Sequence, residues 1–416
     1  MAGRIMSEKG SREQIRYQNR DLILSSLRRE KSIARIELGK LTSLSPATVT
    51  SITADLLDLG LIEEHLSRST DAPKGRGRPR CMLGLRPFVG CAVSIKLSVN
   101  RLHFVLCDFA GNVRARKQVR FASLEASGAS FTATLVGALH EFLAEHPQES
   151  ANLMEIGFAI QGIVDTQRGT IVWSPALAEK HIDVVKPIKR QFGIECYLSN
   201  DTNMIAEALY RQNPERFGPN FAVIYMDQGV GAGLIVNGEL YLGETGAAAE
   251  FGHSLHIPGG ALCRCGKRGC LEAYLGDYAI QRRILGASEH TDPGSLGIEW
   301  HSIASHIEEA MQGDAAKIAV FREVGFALGA GLTRLVAMLD LRSIYLTGRT
   351  LQAYPVMEAG IREGLGSSLL SNLQDEIKID VLPWNEDLIE RGVLAKALRR
   401  IDESFLARKE PMRELV

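Results

Sequence analysis

Residues 250–272 read "EFGHSLHIPGGALCRCGKRGCLE". Three of the chain's seven cysteines, Cys263, Cys265 and Cys270, fall inside this stretch, and His253 stands ten residues before the first of them. Gly266 and Gly269 between the last two cysteines allow a tight loop. Three thiolates and one imidazole form a closed tetrahedral set for Zn2+, with no position left for a reactive water, so the spacing predicts a structural rather than a catalytic zinc. The plainer alternative is three free cysteines beside a loop. A disulfide is disfavoured. The first twenty residues are charged and lack the apolar core of a signal peptide, so a cytoplasmic protein with reduced thiols is expected. Cys81, Cys91, Cys107 and Cys196 sit singly in mostly apolar stretches and read as core or surface residues.

Two carboxylates flank the cluster. Glu250 lies three residues before His253, and Glu272 two residues after Cys270. A zinc knot would hold both acids and the imidazole on one wall of a cleft, where they suit sugar hydroxyls. Asn200 and Asp201 end a predicted strand, "ECYLSND", at the kind of sheet edge where open α/β folds present ligand contacts. Asp201 also fits the N-cap of the next helix, and the two glutamates also fit a solvated loop.

Outward from the cluster, the body alternates strands and helices. "FVGCAVSIKLSVNRLHFVLCDFAGNV" (88–113) reads as two apolar strands closing on a turn at Ala110–Asn112. "FAVIYMDQGVGAGLIVNGELYLG" (221–243) repeats the design with an Asn237–Gly238 turn. Between them come a helix over 130–145, a strand at "MEIGFAI", a helix at "DVVKPIKRQFG", and the helix "TNMIAEALYRQ" after Asp201. Two similar blocks predict a duplicated α/β architecture with two lobes around a cleft.

The first 65 residues differ in character. Residues 13–65 read as three short helices and an extended hairpin. Leu22, Ile23 and Leu27 share a face of the first, Leu38 and Leu41 belong to the second, and Leu44 follows in the turn. In "SPATVTSITADLLDLGLI" (45–62), Ser45 is the N-cap, Pro46 fits the first turn, and Val49, Ile52 and Leu56 face the core. Ser45, Ala47, Thr48, Thr50 and Ser51 then cluster at the exposed N-terminal end, where small polar side chains fit a major groove. The hairpin tip carries Arg76, Arg78 and Arg80 between glycines and prolines, suited to a minor groove. The plainer reading of that tip is a flexible basic linker.

Composition supports the split. The chain has 416 residues, 45% hydrophobic and 23% charged, enough for two or three domains of a soluble globular protein. The net charge is −1, yet residues 1–86 carry about +6 and the remainder about −7, so one end faces a polyanion. The most apolar long stretch, 324–341, is interrupted by Arg334 and Asp340, which argues against a membrane span.

These residues together resemble the ROK family of repressors, open reading frames and kinases, in particular its repressor branch with xylose-, N-acetylglucosamine- and glucose-responsive members. The residues that carry the resemblance are the 250–272 stretch, "SNDTNMIAEAL" and "GRGRP". It covers nearly the whole chain. It implies an N-terminal winged helix-turn-helix and linker over 1–86, then a two-lobed α/β, actin-like sugar-kinase body (RNase H-like ATPase fold) over 87–416. Lobe one would span about 87–200 plus the C-terminal helix, and lobe two about 201–390. It implies zinc on His253, Cys263, Cys265 and Cys270, and a sugar pocket of Asn200, Asp201, Glu250, His253 and Glu272. Asp201 matches the general base of the kinases.

The sequence also departs from the family. Kinases of this type open with an acid and paired glycines that approach ATP phosphates. In "CAVSIKLS", Ala92 is read at the acid, Ser94 and Ile95 at the glycines, and β-branched Val93 and Ile95 would crowd a phosphate. Asp227 before Gly229, Gly231 and Gly233 would repel one. Gln161–Gly162 replaces Pro-Gly, and Ser174–Pro175–Ala176 lacks an Asn that usually contacts the sugar. The resemblance therefore implies a repressor with operator DNA and a sugar or sugar-phosphate effector as partners, no membrane contact, no kinase activity, and a homodimer or homotetramer. An ATP-dependent sugar kinase carrying a DNA-binding domain is the alternative, and a protein-binding adaptor a third.

Overall fold

A computed structural model describes residues 2–66, 81–297, 300–367 and 376–407, with side chains from residue 15 onward. The chain begins with a long helix, α1 (Ala2–Glu30), rather than a short one. Its core face is Ile23, Leu24 and Leu27, while Leu22 is only half-buried. The spacing of three and four from Arg20 through Leu27 sets that face, and Leu22 falls at its edge. Strand β1 (Ile33–Ala34), α2 (Arg35–Thr42) and α3 (Pro46–Asp58) follow. Ser45 caps α3, its hydroxyl accepting from the Thr48 amide at 3.1 Å, and Val49, Ile52 and Leu56 are buried as expected. Arg20 on α1 pairs with Asp55 on α3 at 2.8 Å, which locks the two helices together. Strands β2 (Ile62–Leu66) and β3 (Cys81–Leu85) pair antiparallel, and β1 joins them in the order β1-β3-β2. This is a winged helix. Its wing tip, with Arg76, Arg78 and Arg80, lies outside the described residues.

The body holds two five-stranded sheets. The first is built from β4 (Cys91–Ser98), β5 (Arg101–Asp108) and β6 (Val113–Arg120), then helix α4 (Gly128–Glu145) and β7 (Leu153–Ile160). A small sheet of β8 (Ile163–Asp165), β9 (Thr170–Trp173) and β10 (Ile182–Asp183) intervenes, followed by α5 (Val185–Phe192) and β11 (Glu195–Asn200). Helix α6 (Asp201–Gln212) and the turn α7 (Pro214–Phe217) lead into the second sheet, with β12 (Phe221–Met226), β13 (Val230–Val236) and β14 (Glu239–Leu240). Then come α8 (Glu272–Leu275), α9 (Asp277–Ile284), α10 (Trp300–Met311), α11 (Ala315–Leu339), β15 (Ser343–Thr347), α12 (Tyr354–Gly366), β16 (Lys378–Val381) and α13 (Leu388–Ala407).

The strand orders are β11-β7-β4-β5-β6 and β14-β13-β12-β15-β16. In each, three consecutive strands pair antiparallel and two later strands add in parallel beyond the first. The duplication read from the hairpins is therefore a duplication of whole sheets. One boundary shifts. The first hairpin, β4–β5, turns at Val99–Asn100, and the turn at 109–112 instead links β5 to β6.

Helices α6 and α13 lie within a hydrophobic cluster that reaches both sheets, and α1 through β3 of the winged head belong to the same cluster. Gly392 of α13 allows the closest approach, since a Cβ there would sit 1.7 Å from the Met204 carbonyl oxygen of α6. Among the described residues, no helix is long and apolar enough to cross a membrane.

Candidate functional site

Strand β11 delivers Asn200 to the start of α6. Asn200 is the N-cap. Its Oδ1 accepts from the amides of Thr202 at 2.8 Å and Asn203 at 3.4 Å, and its Nδ2 donates to the Gly162 carbonyl at 2.7 Å. Capping is thus done by Asn200, and Asp201 is freed from that duty. One Asp201 oxygen accepts from the Thr202 amide at 2.7 Å and hydroxyl at 3.2 Å, and the side chain is 7% exposed. Burial lifts its carboxyl to about 6, against the Thr202 hydrogen bonds that favour the ionised form.

The cysteine loop packs beside this helix end. His253, Cys263, Cys265 and Cys270 present ligand atoms that all lie within 4.8 Å of one another. The Cys265 and Cys270 sulfurs are 3.7 Å apart, and the Cys263 sulfur is 3.8 Å from His253 Nδ1. Zn–S bonds of about 2.3 Å in a tetrahedron give S–S edges of about 3.8 Å, so these four residues fit a zinc ion. A hydrogen bond from Cys263 holds the Cys265 thiol down to about 3, against its burial. Burial alone would depress His253, but the Cys265 hydrogen bond and the Glu272 charge raise it to about 9. A cluster that favours a thiolate suits a soft dication. Tyr278 supports it from outside, its single hydroxyl proton in reach of both Glu272 at 3.2 Å and the Cys263 sulfur at 3.4 Å.

Asn200, Asp201, Glu250, His253 and Glu272 line one cavity between the sheets. Glu272 is anchored there by the Val230 amide at 3.2 Å. Glu250 has no side-chain partner among the described residues. Burial pushes it up to about 7, with His253 opposing and Asp201 and Glu272 adding to the rise. Trp173, Pro175 and Arg264 complete the wall, and Trp173 meets His253 edge-on at 5.6 Å. The residue patterns did not point to these three as contacts: Trp173 and Pro175 come from a strand end and the loop after it, distant in sequence, and Arg264, although it stands between two of the cysteines, carries no pattern that marks it as a contact. Gln161 also lines this cavity.

On the winged head, Ser45, Ala47, Thr50 and Ser51 are exposed at the start of α3 and Thr48 is half-buried. The Ser45 and Thr48 hydroxyls lie 2.8 Å apart, and Thr50 donates to the Pro46 carbonyl. The structure thus puts these five residues on one accessible helix end.

A ROK family profile matches residues 92–386. The chain belongs to the ROK family. It is 24% identical over 347 residues to the DNA-binding transcriptional dual regulator NagC of Escherichia coli, covering 83% of this chain and 84% of that protein. It is 24% identical over 362 residues to the xylose repressor of Bacillus subtilis, covering 87% and 90%. Among solved structures, it matches a ROK family transcriptional regulator described as a homolog of the E. coli Mlc protein, with a TM-score of 0.73, 23% identity, and coverage of 94% and 98%. It also matches a ROK family glucokinase from Streptomyces griseus in complex with glucose and AMPPNP, with a TM-score of 0.56, 23% identity, and coverage of 74% and 98%. These likenesses show the actin-like fold.

Two expectations about the kinase loops of this ROK chain need correction. Ala92, Val93 and Ile95 do not face the cleft; all are fully buried inside β4. The strand end that reaches the cleft is Lys96, Leu97 and Ser98, two residues further on. No glycine stands at that end either. Asp227 is not a bare negative charge. Arg349 grips both its oxygens, at 2.8 and 2.5 Å, and Tyr225 donates to it at 2.9 Å. Gly231 and Gly233 have a packing reason: a Cβ at either would meet Thr202 of α6 at 2.2 or 2.6 Å.

Proposed function

We propose that this ROK chain is a sugar-responsive DNA-binding transcriptional regulator, a repressor of carbohydrate uptake or catabolism genes, without kinase activity. The observation that carries this reading is the joint between head and body. Helix α13 starts at the cleft, where Glu390 pairs with Lys96 of β4 at 3.2 Å. It ends on the head, where Asp402 pairs with Arg28 and Glu403 accepts from Tyr17 of α1. A ligand that favours one arrangement of the sheets would shift α13, and with it the winged head. The repressor names of the relatives point the same way.

In this reading, α3 enters the major groove with Ala47, Thr50 and Ser51 at base edges, and Ser45 and Thr48 near phosphates. The wing arginines Arg76, Arg78 and Arg80 reach an adjacent minor groove. Two copies in a homodimer, or within a tetramer, read two half-sites. Asp201, Glu250 and Glu272 accept from sugar hydroxyls, and Asn200 holds the helix end that presents Asp201. Zinc on His253, Cys263, Cys265 and Cys270 supplies rigidity, orienting the imidazole toward the same cavity. The absence of a glycine at the cleft end of β4, and the packing of Gly231 and Gly233 against α6, argue against ATP.

The test is fluorescence anisotropy on duplex DNA from the region upstream of its own gene, at 50 to 200 mM salt, with a panel of sugars. Specific binding released or strengthened by one sugar is expected. No DNA binding under any of these conditions would sink the proposal. A coupled assay with the same sugars should detect no ATP turnover.

A further inference from the structure

The cavity at Asp201 continues. Gln161, Asp201 and Tyr225 also border a second cavity of about 510 Å³. Its walls include Trp300 and Trp384. The whole chain has three tryptophans, and all three stand on this continuous cleft, with Trp173 on the first cavity and the other two on the second. Trp300 and Trp384 are half-buried, each packed against a hydrophobic cluster on one side and bordering the cleft on another, so the core anchors two indoles that also form a ligand-facing wall.

The rings are held firmly. Trp384 stacks on Tyr225 with centroids 4.9 Å apart and planes 26° apart. Arg349 lies 4.5 Å over Trp300 and is fixed in turn by Asp227. Rigid aromatic faces with a few polar groups between them suit the mixed apolar and hydroxyl faces of a sugar ring. Gln161 has no side-chain partner among the described residues and stands where the cavities meet, ready to bond hydroxyls on either side.

The charges disfavour a phosphoryl group in the second cavity. Lys96 is paired with Glu390 and Arg349 with Asp227. Burial, with Lys96 and Arg101 nearby, holds His103 down to about 4, so it is neutral at pH 7. Arg101 is exposed at the mouth, while Asp201 and Glu386 add negative charge to the walls.

We propose that the effector is a disaccharide or longer oligosaccharide, with one ring beside Asp201, Glu250 and His253 and a second unit past Gln161 against Trp300 and Trp384. This rests on the first cavity being a sugar site. Titration calorimetry on the full zinc-loaded chain tests it with glucose, xylose and N-acetylglucosamine, the 6-phosphates of the two hexoses, and disaccharides of all three. One disaccharide should bind at least tenfold tighter than its monosaccharide or the corresponding phosphate. Trp384→Ala and Trp300→Ala should erase that gain and leave monosaccharide affinity within twofold. A second readout does not depend on those variants. In Trp173→Phe, the disaccharide should change the emission of the remaining indoles and the monosaccharide should not. A monosaccharide or sugar phosphate that binds as tightly as every disaccharide overturns the proposal. So does a disaccharide gain that survives both tryptophan substitutions, or an equal emission change with the monosaccharide. If no carbohydrate binds at all, the sugar reading of the first cavity falls, and this proposal with it.

Discussion

Arg28 of the winged head and Asp402 of α13 form a buried two-pronged salt bridge, Nη1 to Oδ2 at 2.6 Å and Nη2 to Oδ1 at 2.5 Å. Arg28 also donates to the Phe109 carbonyl at 3.2 Å and lies 4.9 Å over the Phe109 ring, while Asp402 is 1% exposed. Removing one partner leaves a buried charge alone, which costs about 3–5 kcal/mol. Asp402→Ala should therefore lower stability by that order in urea unfolding. The double variant Arg28→Met with Asp402→Leu should recover most of it, because both charges are gone. If the joint couples cleft to head, the double variant should still bind DNA but respond less to sugar in anisotropy.

The cysteine loop should hold about one zinc per chain by elemental analysis. Cys265→Ser should lose the metal, lower the melting temperature and abolish sugar binding, since the same loop carries Glu250, His253 and Glu272. A metal-free protein with unchanged sugar and DNA affinity would remove the structural role.

Asp201 gives a pH signature. Its folded pKa, about 6, lies above its ordinary value of 3.8 because the ionised form is buried. The folded state then holds the proton more tightly, so stability falls as pH rises from about 4 to about 6 and stays lowered above that. The span of about two pKa units sets an upper bound of about 3 kcal/mol. Asp201→Asn should be more stable than the parent at pH 7, match it near pH 4, and fail to bind sugar. Part of the slope should remain in the variant, because burial also raises Glu155 to about 7 and Asp277 to about 6. Urea titrations at several pH values measure this.

On the head, Ala47→Glu or Ser51→Glu places a carboxylate on the exposed end of α3. Each should weaken DNA binding at least tenfold, through repulsion from phosphates, with an unchanged melting temperature. Loss of stability instead would mean that the helix end is packed rather than free.

Much of this molecule was legible before folding was considered. The Ser45 cap, the buried set Val49, Ile52 and Leu56, the strand–helix junction at Asn200–Asp201 and the clustering of His253 with Cys263, Cys265 and Cys270 all appear where the sequence puts them. Other features were misread for identifiable reasons. The N-cap expected at Asp201 falls one residue earlier, on Asn200, because adjacent Asn and Asp are both good capping residues and only the hydrogen-bond geometry separates them. The β4–β5 turn was placed a strand too late, because β5 is apolar almost to its end and no glycine marks Val99–Asn100. Asp227 looked repulsive because its partner Arg349 lies 122 residues away.

By itself, the sequence determined what short stretches control: helix caps and faces, the duplicated strand pattern, and a ligand set contained within 18 residues of chain. Those depend on backbone preference and spacing, which neighbours supply. Only the tertiary structure decided which distant groups share one volume. It joined Arg28 to Asp402 and Lys96 to Glu390, gathered three tryptophans from residues 173, 300 and 384 on one cleft, and turned Asp227 from a bare charge into a paired one. Burial and charge pairing act through space, and their strength is set by what the folded chain brings within a few ångströms.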